Sequence, residues 1–230
     1  ESLNDIDEKI WAIRDDKSNA NEHSYLQAEN VSTVDGILRI KGKNESAGGR
    51  NYTSGYIDTN GKYSLPNYFR AEIRAKVPME QGMWAAPLWL RPADFSGGEI
   101  DLLETYGKES ARPKIHHTIH TDYGPGHEFS AKPAYYSVVD DPTGTEWHTY
   151  VVEKVPGSIT MWTDGVQTAR WTQGDPSWFN QYYEANKRWQ LRVNLQIGGS
   201  WGGLPDSTTD WSGDKTTMMV DYIRTWVPNQ

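Results

Sequence analysis

The chain has 230 residues, a formal net charge of −8 and no cysteine, and its eleven Trp and thirteen Tyr far outnumber its four Phe. The missing cysteines exclude disulfides, thiolate nucleophiles and cysteine zinc sites, and the acidic balance leaves no basic stripe for a nucleic-acid partner. No apolar run approaches the ~20 residues that cross a bilayer, so no membrane partner is expected.

A chain of this length buries a sizeable core, and one domain spanning residues 1–230 is expected. The opening Glu1-Ser2-Leu3-Asn4-Asp5 lacks signal-peptide character, which reads as a mature or trimmed chain. A turn at Asp35-Gly36 leads into a strand at 37–41, and residues 68–77 alternate cleanly before stopping at Pro78. An apolar, aromatic strand is expected at 83–90, then a loop at 91–98 and a short acidic strand at 99–104. Further strands fall at 115–120, 147–153 and 159–162, the last closed by the turn Asp164-Gly165. Residues 176–183 hold one short helical turn, and strands at 191–197 and 217–226 complete the series. Many short strands with regular turn signals indicate an all-β fold, a two-sheet sandwich or jelly roll. Asn30, Asn44 and Asn51 head glycosylation sequons, matches too short to carry weight.

The acidic run Gly98-Glu99-Ile100-Asp101-Leu102-Leu103-Glu104 sets three carboxylates among apolar residues. On a regular strand side chains alternate faces, so Glu99 and Asp101 share a face while Glu104 points the other way. One extra residue at Leu102-Leu103, a β-bulge, brings Glu104 back, and bulges are over-represented beside active sites. A helix would also space Ile100, Leu103 and Tyr106 on one side, yet it turns Glu99 away from the other two acids. Gly97-Gly98 and Gly107 limit the run to strand length. An edge strand whose acids face water is the other arrangement that spacing alone allows.

Residues 191–197 alternate apolar side chains with Arg192, Asn194 and Gln196, a polar face suited to hydrogen-bonding hydroxyl groups. If strand 83–90 pairs with the acidic strand, Trp84 and Trp89 flank the carboxylates. His116, Thr118 and His120 share one face, from which His120 can reach an acid of the neighbouring strand. His116, His120 and a carboxylate could instead form a divalent metal site, and each histidine could equally be structural. Trp and Tyr beside Asn, Gln and acids suit a wet ligand with apolar faces, as a sugar ring is, although any one Trp could be ordinary core.

With these residues the chain resembles the laminarinase-like members of glycoside hydrolase family 16. The Glu-x-Asp-x-x-Glu signature of that family's bulged branch stands here as Glu99-Ile100-Asp101-Leu102-Leu103-Glu104. Similar blocks follow in the family's order: Tyr52-Thr53-Ser54-Gly55 with Gly61-Lys62, then 69–76, 84–89, 115–121, 194–201 and 219–224. The resemblance implies a β-jelly-roll sandwich of two antiparallel sheets, an open substrate cleft on the concave face, and retaining endo-cleavage of a β-glucan. By the same resemblance Glu99 is the nucleophile, Glu104 the general acid/base, Asp101 the residue that holds and tunes the nucleophile, and His120 a polar tuning residue. Trp84, Trp89 and Trp201 match stacking positions for glucosyl rings, and Asn51, Arg70 and Asn194 match polar positions of the cleft. Asp221 matches an aspartate with which many relatives bind structural calcium; the hydrolysis itself requires no cofactor.

Three carboxyl groups on one patch cannot all ionise cheaply, so one should retain a proton, and Glu104 is expected to carry it. Retaining enzymes place the two carboxyl groups ~5–5.5 Å apart and inverting ones ~6.5–9.5 Å apart. With the bulge discounted, Glu99 and Glu104 stand roughly 13 Å apart at their α-carbons, and flexible side chains reach either separation. Retention is therefore implied by the resemblance. The expected activity is hydrolysis of laminarin-type β-1,3-glucan, extending to mixed-linkage β-1,3-1,4-glucan, by a secreted monomer whose partner is a neutral polysaccharide. An agarose-type galactan hydrolase of the same fold is one rival, and a non-catalytic glucan-binding lectin, which would keep the tryptophans and lose acids, is another. The acidic balance and the few basic residues near the motif disfavour a sulfated galactan.

Overall fold

The computed structural model describes residues 6–109, 114–121, 134–137 and 146–228. Within them the short runs become β1 (Ala12–Ile13), β2 (Lys17–Ser18), β3 (Ser24–Leu26), β4 (Val31–Val34), β5 (Ile37–Lys41), β6 (Tyr52–Ser54), β7 (Tyr56–Asp58), β8 (Phe69–Lys76) and β9 (Met83–Pro92). They continue as β10 (Glu99–Tyr106), β11 (Lys114–His120), β12 (Ala134–Ser137), β13 (His148–Val155), β14 (Ser158–Thr163), β15 (Val166–Thr172), β16 (Trp189–Ile197) and β17 (Thr217–Trp226). Two short helices, α1 (Phe179–Tyr183) and α2 (Gly199–Gly202), interrupt the series.

The strands form a β-jelly-roll sandwich. One sheet runs β1-β7-β16-β9-β10-β11-β12 and carries the acids; the other runs β15-β14-β13-β8-β17-β5-β4 behind it. A small third sheet, β2-β3-β6, includes the parallel pair β3 and β6. The period-two pattern read from the sequence sets the layers. On β8, Phe69, Ala71, Ile73 and Ala75 are buried against the first sheet, while Arg70, Glu72, Arg74 and Lys76 face outward from the back. On β16 both faces are covered: Leu191, Val193, Leu195 and Ile197 enter the core, and Arg192, Asn194 and Gln196 are buried on the cleft side. Burying branched side chains from both sheets at about 25 cal/mol per Å² supplies the main drive for the sandwich.

Helix α1 fills the core next to the acidic strand. Tyr183 is buried, stacks on Trp189 with ring centroids 5.7 Å apart, and donates its hydroxyl hydrogen toward the carbonyls of Glu99 (2.6 Å) and His120 (2.5 Å). Glu99 and His120 are paired residues of β10 and β11, so one phenol ties down both sides of that rung. Gly98 enters β10 at φ +94°, and an added Cβ would sit 3.3 Å from the Tyr182 carbonyl oxygen. Only glycine suits that entry.

Candidate active site

The bulge expected at Leu102-Leu103 is present. Asp101 pairs with Thr118 and Glu104 with His116, three steps on β10 against two on β11. Leu102 falls between paired positions on both sides of β10, and its carbonyl accepts a hydrogen bond from Nδ1 of buried His117 at 2.5 Å. Burial pushes His117 down to about 4, so its ring is neutral and the Nδ1 proton satisfies this carbonyl. With the extra residue absorbed, Glu99, Asp101 and Glu104 all line one cleft of about 900 Å³.

Pairing across the sheet places each neighbour. Asp58, Arg192, Trp89, Asp101 and Thr118 form one rung; Tyr56, Asn194 and Ala86 lie on another; Gln196, Trp84 and Tyr106 form a third. Trp84 and Trp89 therefore flank the carboxylates, as their spacing implied. Trp84 Nε1 donates to Glu104 Oε1 at 2.8 Å and Tyr106 Oη to Glu104 Oε2 at 3.2 Å. Trp89 Nε1 donates to Asn194 Oδ1 at 2.6 Å. Trp201, exposed on α2, stacks on Tyr106 at 5.9 Å and extends the aromatic wall.

The three acids have different surroundings. Glu99 is paired with Arg91, Nε to Oε2 at 2.9 Å. Asp101 is buried and meets His120 Nε2 at 2.8 Å. Burial pushes Asp101 up to about 8 against the pull of Arg91, and burial pushes His120 down against Glu99 and Glu104. Both shifts disfavour an ionised pair, so at neutral pH this contact is a neutral carboxyl sharing its proton with a neutral imidazole. Glu104 is also pushed up to about 8, chiefly by burial, with the Trp84 hydrogen bond opposing.

Ligand atoms of Glu99, Asp101 and His120 lie within 4.8 Å of one another. This differs from the metal grouping that the sequence suggested, because His116 instead packs on the Tyr106 ring at 4.5 Å. Arg91 on Glu99 and the proton on Asp101 make the trio a poor cation site.

Three expectations are corrected. Arg70 stands on the outer face of the back sheet, 3.7 Å from Glu153 and over the Trp162 ring, away from the cleft. Asn51 is exposed just before β6 and does not line the cleft. The third concerns charge: Arg14, Arg91, Lys108, Lys114 and Arg192 all line the cleft, so basic residues near the acids are not few. Arg91 falls in what the sequence reads as a loop, whereas β9 runs on through Pro92 and aims it at Glu99. Arg14 follows β1, a strand too short to show periodicity, and Tyr56 and Tyr106 lie on strands whose facing was unreadable without pairing.

Asp221 lies on the outer face of the back sheet, where Arg74 Nη1 donates to Oδ2 at 2.6 Å. Among the described residues no group of three or more histidine or acidic ligands includes it.

The family model for glycosyl hydrolases family 16 matches residues 15–224. A beta-glucanase of Rhodothermus marinus is 29% identical over 218 residues, covering 89% of this chain and 72% of that protein. A glucan endo-1,3-beta-glucosidase A1 of Niallia circulans is 30% identical over 224 residues, covering 89% of this chain but only 32% of its own length. Among solved structures, the catalytic domain of an endo-1,3-beta-glucanase (laminarinase) from Thermotoga petrophila superposes with a TM-score of 0.83 at 25% identity, covering 98% of this chain and 94% of that one. With a bulged triplet of acids on a jelly-roll cleft and a family match along most of its length, the chain belongs to glycosyl hydrolases family 16.

Proposed function

We propose that this chain is a retaining endo-β-1,3-glucanase acting on laminarin-type chains and on mixed-linkage β-1,3-1,4-glucan. The observation that carries the reading is the contrast between two glutamates on one cleft face: Glu99 is held by a guanidinium, Glu104 by burial with a proton. Glu104 donates that proton to the glycosidic oxygen as the bond breaks, while the Glu99 carboxylate attacks the anomeric carbon. The glycosyl ester at Glu99 is then hydrolysed by a water that Glu104, now ionised, deprotonates. Asp101 and His120 share a proton beside Glu99 and hold its carboxylate in place without competing for charge.

The activities for which the relatives are named support β-glucan as the substrate, and the open aromatic cleft supports attack within a long chain. A polymer of that size is met outside the cell, which supports secretion, and the protein is proposed to act as a monomer. A galactan hydrolase or a lectin of the same fold is separated from this reading by a digest of laminarin, lichenan, curdlan and agarose. Reducing ends should appear from the glucans; release from agarose alone, or from none, overturns the proposal. Replacement Glu99→Ala should abolish hydrolysis, and azide should restore cleavage of an activated glucoside as an inverted azide product. Unchanged turnover in that variant would remove Glu99 from its role.

A further inference from the structure

We propose that the cleft holds a carboxylate-binding subsite, built on Arg192, that selects glucans carrying acidic substituents such as uronate units or acid-acyl groups. This rests on the glucanase reading and goes beyond its neutral substrate. The chain as a whole has a net charge of −8, yet five cationic side chains line the cleft against Glu99, Asp101 and Glu104.

The cations are not equivalent. Arg14 is matched by Asp58 at 2.7 Å, and Arg91 by Glu99 at 2.9 Å. Arg192 is only 5% exposed and makes no ion pair among the described residues. Its Nη1 donates to the neutral phenol of Tyr56 at 3.2 Å, its Cζ lies 4.8 Å from the Trp89 ring centroid, and its buried Nε has no hydrogen-bond partner. Of the two acids in its rung, Asp58 is committed to Arg14 and to the backbone N–H of Asn60, and Asp101 meets His120. A buried guanidinium without a counter-charge is expensive to maintain in a fold, and it becomes favourable when a planar carboxylate docks on its fork. Arg192 occupies the rung that also holds Trp89 and Asp101, so a sugar stacked on Trp89 presents an acidic substituent to it two strands away from the catalytic acids.

The test compares laminarin with the same laminarin sparsely oxidised to carboxylate at C6. The unmodified protein should show the higher kcat/KM on the oxidised polymer at low salt, through a lower KM, and added NaCl should erase that advantage. In Arg192→Met the ratio of the two kcat/KM values should fall about tenfold, the usual worth of a charge-assisted hydrogen bond. An equal or lower rate on the oxidised polymer, a ratio that Arg192→Met leaves unchanged, or equal preference for sulfated laminarin overturns the carboxylate subsite. Absence of cleavage of either polymer instead refutes the glucanase reading. In that case calorimetry on Glu104→Gln with both polymers decides the subsite without turnover, tighter binding of the oxidised one being required.

Discussion

Glu104 shows how single contacts set the working pH. Burial and the neighbouring acids raise its carboxyl to about 8, while the indole N–H of Trp84 stabilises the ionised form and pulls the other way. Replacing Trp84 with Phe removes that donor, so the pKa should rise and the alkaline limb of kcat/KM should move up by about one pH unit. A limb that stays in place while KM rises would reduce Trp84 to a stacking surface. The three acids were legible in the sequence because their misfit to a regular strand announced the bulge. The resemblance alone places Arg70 in the cleft, and alternation in Phe69-Arg70-Ala71-Glu72 cannot check that placement: it tells which side chains share a face, never which sheet lies across the core. Arg91 was missed because Leu90-Arg91-Pro92 reads as a strand's end, and only pairing with β16 keeps it extended.

Among the elements, β10 depends on support from within the sandwich. The bulge frees the Leu102 carbonyl from the ladder and His117 takes it up; Tyr183 holds the carbonyls of the Glu99–His120 rung at the start of the strand. Neither role was visible in the sequence, since both are made by residues whose side chains point into the core. His117 falls from an ordinary 6.5 to about 4 on folding, so the unfolded chain binds more protons between those values. Its stabilising share is therefore present above about 6.5 and lost as pH falls toward 4. Replacement His117→Asn retains a short donor for Leu102 but cannot titrate. Its melting temperature should fall less between pH 6.5 and 4 than that of the unmodified protein, and an equal fall would show that His117 protonates freely in the fold. The long strands were readable, whereas β1, β2 and the parallel pairing of β3 with β6 were not, because two or three residues carry no period.

Over the whole molecule, charge is sorted: acids dominate the chain while cations gather in the cleft. The cleft rim formed by Asn19, Ala20 and Asn21 is anchored by Glu22, a buried acid that accepts from Ser24 Oγ, Asn19 Nδ2 and a backbone N–H. Burial outweighs these donors and raises Glu22 from 4.5 to about 7. The folded state therefore holds a proton that the unfolded state releases between those values. Its contribution to stability is present below about 4.5 and lost as pH rises through 7, on the order of 3 kcal/mol. Replacement Glu22→Gln keeps the acceptor oxygen and stays neutral, so the variant should melt progressively later than the parent as pH rises from 5 to 8. Asp101 and Glu104 carry the same sign of pH dependence and His117 the opposite, yet these are common to both proteins and cancel in the difference. A melting difference that stays constant over that range would mean that Glu22 is ionised in the fold, and that Arg50, the nearest cation to act on it, supplies the missing stabilisation.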